Sequence, residues 1–503
     1  MVIRKPIPKK QRALVLQGGV ALGAYEAGVI QTLCKEISEQ ITSDKEKNQN
    51  IFDIVAGTSI GAINAAILVS GAVDRRKKLS HKTTLVERWQ YSAENLVKFW
   101  QNHLSSNPNL YNWWPYTRDP KLWVSTWDER HRLFDSAATG EAARRYFSAK
   151  EFFYAGAPHV FSAAGIQRDD RFFDNLYPPT NSWHRYSNSL LRESLEEFAY
   201  FPLATTFNNN NNDGKNRGRD KEKGFSYQPR LLTVAVDVAD GVAVTFDSYS
   251  KETTYNVYNS ESKQYEERII RYEGLMPEHV IASASFPLYF DYQKIDGRQF
   301  WDGGLLSNTP LRELISKHKT YWENYIGEQN LSRGMWNDDD ENDNAKVPDL
   351  EVYIINVWPS REDIVPSDYD GIKDRKNDIG HADKTEYDQK VAVLVSDYID
   401  LIREMRKIAL DHITQPNKQR DFKEKLDRFL KSENIESKQR TGEPRKYEDL
   451  IRGRFKLSKV ITIERKDDKH SISNKWADFS SKTIEDLIEE GQKYEKTSIV
   501  KTL

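Results

Sequence analysis

IFDIVAGTSIGAINAAILVSG, running from Ile51 to Gly71, carries three patterns in succession. Ile51 to Val55 is an apolar, β-branched run that predicts a buried strand. Gly57-Thr58-Ser59-Ile60-Gly61 is a turn of small residues, and Ala62 to about Ser70 reads as an Ala/Ile/Leu-rich helix. Gly71 stands where a helix C-terminus favours glycine. A strand, a sharp Gly-x-Ser-x-Gly turn and a helix together predict a nucleophile elbow, with the hydroxyl of Ser59 projecting and Gly57 and Gly61 leaving room for the turn. The N–H groups at the start of the following helix face any negative charge that develops beside that serine. An ordinary Gly/Ser turn before a core helix has the same five letters, so the reading needs support from elsewhere in the chain.

The first support lies upstream. Ala13 to Gln17 predicts a parallel-type strand, Gly18-Gly19-Val20-Ala21-Leu22-Gly23 a glycine-rich turn, and Ala24 to about Gln40 a helix. Backbone N–H groups in such a turn suit a phosphate or an oxyanion. No Gly-Lys-Ser/Thr follows, which excludes a P-loop. A dinucleotide fold wants an acidic residue at the end of a second strand, a place that neither Glu36 nor Glu39 fills. An oxyanion hole therefore remains, beside the plain alternative of a tight strand-to-helix crossover. With the polar loop Ile41 to Asn50 between them, the two units form a βαβα segment with a right-handed crossover. Both glycine turns then lie at the C-terminal ends of neighbouring strands, where open α/β sheets place their sites.

Downstream, Asp74 to about Tyr200 reads as a mostly helical insertion. Seven of the chain's 12 tryptophans fall there: Trp89, Trp100, Trp113, Trp114, Trp123, Trp127 and Trp183. Packing between helices explains them better than a lipid-facing surface. Asn208 to Gly224 is low-complexity and polar and predicts a mobile surface loop. Leu231 to Val238 is a core strand with Val242 to Phe246 as its partner. Pro277 opens a helix into Ala282-Ser283-Ala284-Ser285, which Phe286-Pro287 ends. Tyr289 to Ile295 looks extended, and Arg298 to Trp301 leads into Asp302-Gly303-Gly304, which exposes a carboxylate at a strand end. Asp-Gly is also a common turn signal. Asn308-Thr309-Pro310 predicts a cap for a helix from Leu311 to His318. Met335 to Asn344 reads as a solvated acidic loop, and Glu351 to Trp358 as another core strand. Beyond Pro359, amphipathic helices are expected at Val391 to Thr414, Arg420 to Leu430 and Ser480 to Tyr494. A strand at Lys456 to Ile463 favours an extension wrapped onto the core, since a lone strand has to pair.

Composition bounds the function. The 503 residues carry 74 basic and 76 acidic side chains, and a net charge of −2 gives no global field for nucleic acid. One cysteine, Cys34, excludes an internal disulfide framework and fits a reducing compartment. No apolar run reaches the roughly 20 residues of a membrane-spanning helix. The basic Met1 to Arg12 lacks the apolar run of a signal peptide. The expectation is a cytoplasmic protein that can touch a membrane surface peripherally.

The ordered motifs Gly18-Gly19-Val20-Ala21-Leu22-Gly23-Ala24-Tyr25, Gly57-Thr58-Ser59-Ile60-Gly61 and Asp302-Gly303-Gly304, with Ala282 to Pro287 ahead of the aspartate, resemble the patatin-like phospholipases. The resemblance covers about Arg12 to Pro359. It implies a three-layer α/β/α fold with a mainly parallel sheet. Residues 12–359 would form the acyl hydrolase domain, with its insertion at about 74–200 and its loop at about 208–224. Residues 360–503 would form a mostly helical extension packed on that core. The resemblance further implies hydrolysis of lipid acyl esters by a Ser59–Asp302 dyad, without metal or other cofactor. Gly18, Gly19 and Val20 would supply oxyanion N–H groups, and Gly23, Gly57, Gly61, Gly303 and Gly304 are its motif glycines. Asp302 is expected to have a pKa raised by desolvation. One departure stands out. The family's Gly-x-Gly-x-x-Gly has its central glycine replaced by Val20, and some members' arginine is Leu22. A β-branched residue is strained at positive φ, so a negative φ is expected at Val20.

Three readings follow. The first is a lipid acyl hydrolase. The second is a non-catalytic membrane or protein-interaction scaffold whose hole is lost at Val20. The third is an α/β-hydrolase with a Ser-His-Asp triad, using His279, His318 or another histidine. No histidine lies in a late strand-end loop, which counts against the third.

Overall fold

The computed structural model describes residues 7–41, 43–73, 83–106, 139–157, 159–163, 186–205, 228–336, 346–363, 365–438, 444–466 and 471–494. Trp113, Trp114, Trp123, Trp127, Trp183, the loop at 208–224 and the acidic stretch from 337 lie outside them.

The strands of the central sheet are β1 (Lys10–Leu16), β2 (Ile54–Thr58), β3 (Arg230–Asp237), β4 (Val242–Asp247), β5 (Gln293–Ile295), β6 (Arg298–Asp302), β7 (Asp349–Asn356) and β8 (Leu457–Glu464). Followed through hydrogen-bonded neighbours, the strands run β5-β6-β3-β2-β1-β7-β8; β2 and β6 share one side of β3 end to end, and β4 pairs with its other side. The pairs β3/β2, β2/β1, β1/β7 and β7/β8 are parallel, while β4, β5 and β6 make antiparallel pairings at one end. The late strand β8 is thus an edge of the same sheet as β1.

The helices used below are α1 (Gly23–Glu39), α2 (Ile60–Val73), α3 (Leu85–Phe99), α4 (Pro277–Ala284), α5 (Leu311–Ile326), α6 (Tyr369–His381), α7 (Glu386–His412), α8 (Pro416–Leu430) and α9 (Ser481–Gln492). Side chains alternate along β1, as a strand with both faces covered requires. Leu14 and Leu16 join a core with α1, α2, α3 and α9, whereas Ala13 and Val15 join a second core with Leu311 and Leu314 of α5. Helices therefore cover both faces of a mostly parallel sheet, the layering expected from the sequence. Trp89 and Trp100 of the insertion are wholly buried in the first core, as packing residues.

Two glycines set how closely helices approach. A Cβ on Gly28 of α1 would lie 2.1 Å from the Ile488 carbonyl oxygen, and one on Gly491 of α9 would lie 2.2 Å from that of Tyr25. The last helix therefore rests backbone to backbone on the first. Gly71 corrects the reading of a helix stop. α2 continues through it to Val73, and a Cβ there would meet Ser92 Oγ of α3 at 2.2 Å. Ser92 uses that approach to donate to the Leu68 carbonyl at 2.7 Å. No described helix is long and apolar enough to cross a membrane.

Candidate active site

β2 pairs with β3 up to the rung Thr58–Val234, and β6 pairs with the same side of β3 from the next rung, Asp302–Ala235. The two strands run in opposite directions and meet end to end. Ser59, one residue past β2, is thereby brought to Asp302, the last residue of β6. The Ser59 hydroxyl lies close enough to the Asp302 carboxylate to draw its pKa down.

Ser59 has φ of +57°, the left-handed conformation in which a non-glycine residue is strained. Its surroundings hold it there. Its N–H donates to Ser283 Oγ at 3.0 Å, Ser283 Oγ donates to the Val234 carbonyl at 2.5 Å, and the Ser59 carbonyl accepts from Ala62 N–H at 2.9 Å as α2 begins. The flanking glycines are needed for space. A Cβ on Gly57 would sit 2.2 Å from the Gly61 carbonyl oxygen, and one on Gly61 would sit 2.6 Å from that of Leu16.

Asp302 is 2% exposed. Its Oδ1 accepts from Gly304 N–H at 2.7 Å and its own N–H donates to the Ser285 carbonyl. Burial pushes the carboxyl pKa up to about 7, against the opposing pull of the Ser59 hydroxyl and the Gly304 N–H. The raised value matches the desolvation expected from the sequence. Gly303 lies flat on β3, where a Cβ would be 2.2 Å from the Val234 carbonyl oxygen. Gly304 is the donor just described.

The glycine-rich turn packs against the serine: a Cβ on Gly18 would lie 3.0 Å from Ser59 Cβ. Gly18 N–H, however, donates to the Asn308 carbonyl at 3.1 Å and is not free for an oxyanion. That corrects the expectation for Gly18. Among the described residues, the N–H groups of Gly19 and Val20 meet no acceptor. Val20 brings a second correction, because its φ is +51°. The turn needs a left-handed residue at that point, and the strained valine sits where the family's pattern has glycine. Gly23 closes the turn against Ile60 and Trp100.

Four residues that the sequence does not mark as part of the site, Asn308, Trp358, Gln17 and His381, hold this turn. Asn308 Nδ2 donates to the Gly18 carbonyl at 3.1 Å and Trp358 Nε1 donates to the same oxygen at 2.7 Å. The Gly18–Gly19 peptide is planar and trans, so fixing its carbonyl aims the Gly19 N–H the opposite way. Gln17 ties the supports together. Its Oε1 accepts from the N–H groups of Val357 and Trp358, and its Nε2 donates to Thr309 Oγ1 and the His381 carbonyl. The His381 ring stacks on Trp358 with centroids 4.8 Å apart. Asn308 was expected to cap α5; the helix instead starts after Pro310 without a side-chain cap. Behind the turn, Asn64 Nδ2 donates to Glu26 at 2.8 Å and to the Gly23 carbonyl, joining α1 to α2. Complete burial keeps the Glu26 carboxyl well above its ordinary pKa.

The two named histidines lie elsewhere. His279 Nδ1 accepts from Met276 N–H among Phe246 and Tyr272, and burial lowers its pKa to about 4. His318 is bonded to the Pro348 carbonyl and lowered by burial to about 3. Among the described residues, no histidine hydrogen-bonds Ser59 or Asp302.

A sequence profile of the family described as Patatin-like phospholipase matches residues 14–315, more than half of the chain. The chain belongs to the patatin-like phospholipases. Membership in this family supports lipid hydrolase activity and lipid substrates. The matched span of this patatin-like chain includes Ser59, Asp302 and Asn308, while Trp358 and His381, which brace the glycine turn, lie beyond it. Among solved structures it is similar to VipD from Legionella pneumophila, at 12% identity and a TM-score of 0.26, over 96% of this chain and 67% of that one. It is also similar to the type III effector protein ExoU, at 16% identity and a TM-score of 0.15, over 48% of this chain and 37% of that one. A comparison with curated proteins finds no match.

Proposed function

We propose that this patatin-like protein is a serine lipid acyl hydrolase of phospholipase A type that works through a Ser59–Asp302 dyad. The observation that carries the reading is the Ser59 side chain set beside a buried carboxylate at the junction of β2 and β6. Ser59 Oγ attacks the ester carbonyl carbon as Asp302 takes its proton. The Gly19 and Val20 N–H groups receive the charge that develops on the carbonyl oxygen. One such donor is worth on the order of 10²–10³ in rate. Collapse of the tetrahedral intermediate breaks the ester C–O bond, and Asp302 returns the proton to the departing alcohol. Water, deprotonated by Asp302, then attacks the acyl-enzyme, releasing the fatty acid and restoring Ser59. A carboxyl with a pKa of about 7 can serve as base and acid in turn near neutral pH.

In this reading residues 12–359 form the hydrolase domain and residues 360–503 an extension that adds β8 to the sheet, α9 to α1 and His381 to the support of the turn. Phospholipid vesicles of mixed headgroups, incubated with the protein and followed by product mass spectrometry, test the reading. Release of fatty acid and lysophospholipid by wild type, and none by Ser59→Ala, is expected. An intact lipid pool, together with no turnover of a short-chain nitrophenyl ester, would favour the scaffold reading that the strained Val20 keeps open.

A further inference from the structure

Helix α7 is 27 residues long and carries apolar side chains on two faces. One face packs on the body, where Val395 and Ile399 meet Met335, Leu430 and Ile451. The other carries Tyr387, Val391, Leu394, Tyr398, Leu401 and Met405, which are 38% to 76% exposed, and Ile408 continues it. Their spacing alternates four and three residues throughout, the 3.5-residue repeat of a helix that packs along another helix.

We propose that this stripe is the interface with a second copy of the chain, the two α7 helices lying antiparallel across a twofold axis. In that register Tyr387 of each copy meets Met405 of the other, Val391 meets Leu401 and Leu394 meets Tyr398, so the stripe is its own complement. The flanking charges agree. Lys390 of each copy falls beside Glu404 of the other, giving two opposite-charge contacts, and only Asp397 meets its own like across the axis. The exposed apolar surface is of the same order as the roughly 800 Å² that each partner contributes to a standard interface. A lipid surface fits less well. α7 begins beside Asp383, which is bonded to Asn356 at the C-terminal end of β7, and it passes Lys456, paired with Asp400, at the opposite edge of the sheet. The stripe therefore runs from the edge that holds Ser59 to the far edge, across the plane of any membrane that faces the serine.

Sedimentation analysis of the full chain tests the proposal, with the melting temperature as a control for folding. Wild type should be a dimer, and Leu394→Glu with Leu401→Glu a folded monomer. Glu404→Lys and Lys390→Glu should each weaken the dimer by on the order of tenfold or more, and the combined charge swap should restore it. Because the single native cysteine, Cys34, is buried, introduced cysteines report cleanly. Val391→Cys with Leu401→Cys should link two copies on oxidation, while either change alone should not. A wild type that stays monomeric at every accessible concentration would overturn the proposal. So would crosslinking through either single cysteine, which marks a parallel pair, or a monomer that binds neutral lipid vesicles through the stripe.

Discussion

An Asp302→Asn substitution removes a charge from a side chain that is 2% exposed and keeps its shape. The amide oxygen still accepts from Gly304 N–H, and the amide nitrogen can donate to Ser59 Oγ. The wild-type carboxyl is raised from its ordinary 3.8 to about 7 by burial. The folded protein thus holds this proton more tightly than the unfolded chain does. The stability that comes from this group is complete below a pH near 4 and is lost as pH rises through about 7. Three pKa units at about 1.36 kcal/mol each set the full loss at about 4 kcal/mol. Asparagine is neutral throughout and escapes that loss. Its advantage over aspartate should therefore grow by about 3 kcal/mol between pH 5 and pH 8, a difference from which any pH-independent packing change cancels. For a chain this long that is a relative gain of about 3 °C in melting temperature, if it unfolds as one unit. Urea unfolding of both proteins at the two pH values measures it, beside kcat on a nitrophenyl ester, which should fall by roughly 10²–10⁴. An advantage that is flat or shrinks with pH would show that Asp302 is ionised at little cost, and the reasoning from burial would fail.

The wild-type kcat/KM should rise with pH and level off with a midpoint near 7, because Asp302 must be deprotonated to act as base; a profile that is flat from pH 5 to pH 9 would exclude that role. Val20→Gly should be more stable than Val20→Ala by about 1–2 kcal/mol, since both lose the isopropyl group and only glycine relieves the positive φ. The usual order, in which alanine is the more stable, would mean a negative φ at that position in solution. Asn308→Leu removes one of two donors on the Gly18 carbonyl, so kcat should fall on the order of 10–100-fold with KM nearly unchanged and the fold intact. A rise in KM alone would assign Asn308 to substrate binding.

Local pattern carried the reading of the sheet and failed where distant chain segments decide. β1, β2, β3, β4, β7 and β8 were legible because buried strands are short β-branched runs between turn residues, although β2 lies later than expected and runs to Thr58. The match of Gly-x-Ser-x-Gly with the glycine turn rested on crossover geometry, which the β1–β2 pairing reproduces. Gly71 misled because a glycine that ends a helix and one that admits a neighbouring helix look alike until Ser92 is seen beside it. Asn308 misled in the same way: Asn before Thr-Pro is a cap signal, but its partner is Gly18, 290 residues away. Val20 was read through the general cost of positive φ, and the local demand of the turn prevailed. α6 and the hairpin Glu252–Asn259 with Gln264–Arg271 went unread, since both are strongly polar and show little apolar periodicity. Ser283 lay in a segment noted only for its place before the aspartate, and its bond to the Ser59 N–H needs the fold to be visible.

In the proposed mechanism Ser59 is the nucleophile and Asp302 its base. Labelling with a fluorophosphonate probe, followed by peptide mass spectrometry, locates the nucleophile and reads its dependence on the base. The adduct should map to Ser59 in wild type and disappear in Ser59→Ala. It should form far more slowly in Asp302→Asn, while no single histidine substitution reproduces that loss. An adduct on any other residue, or labelling of Asp302→Asn at the wild-type rate, would contradict the account.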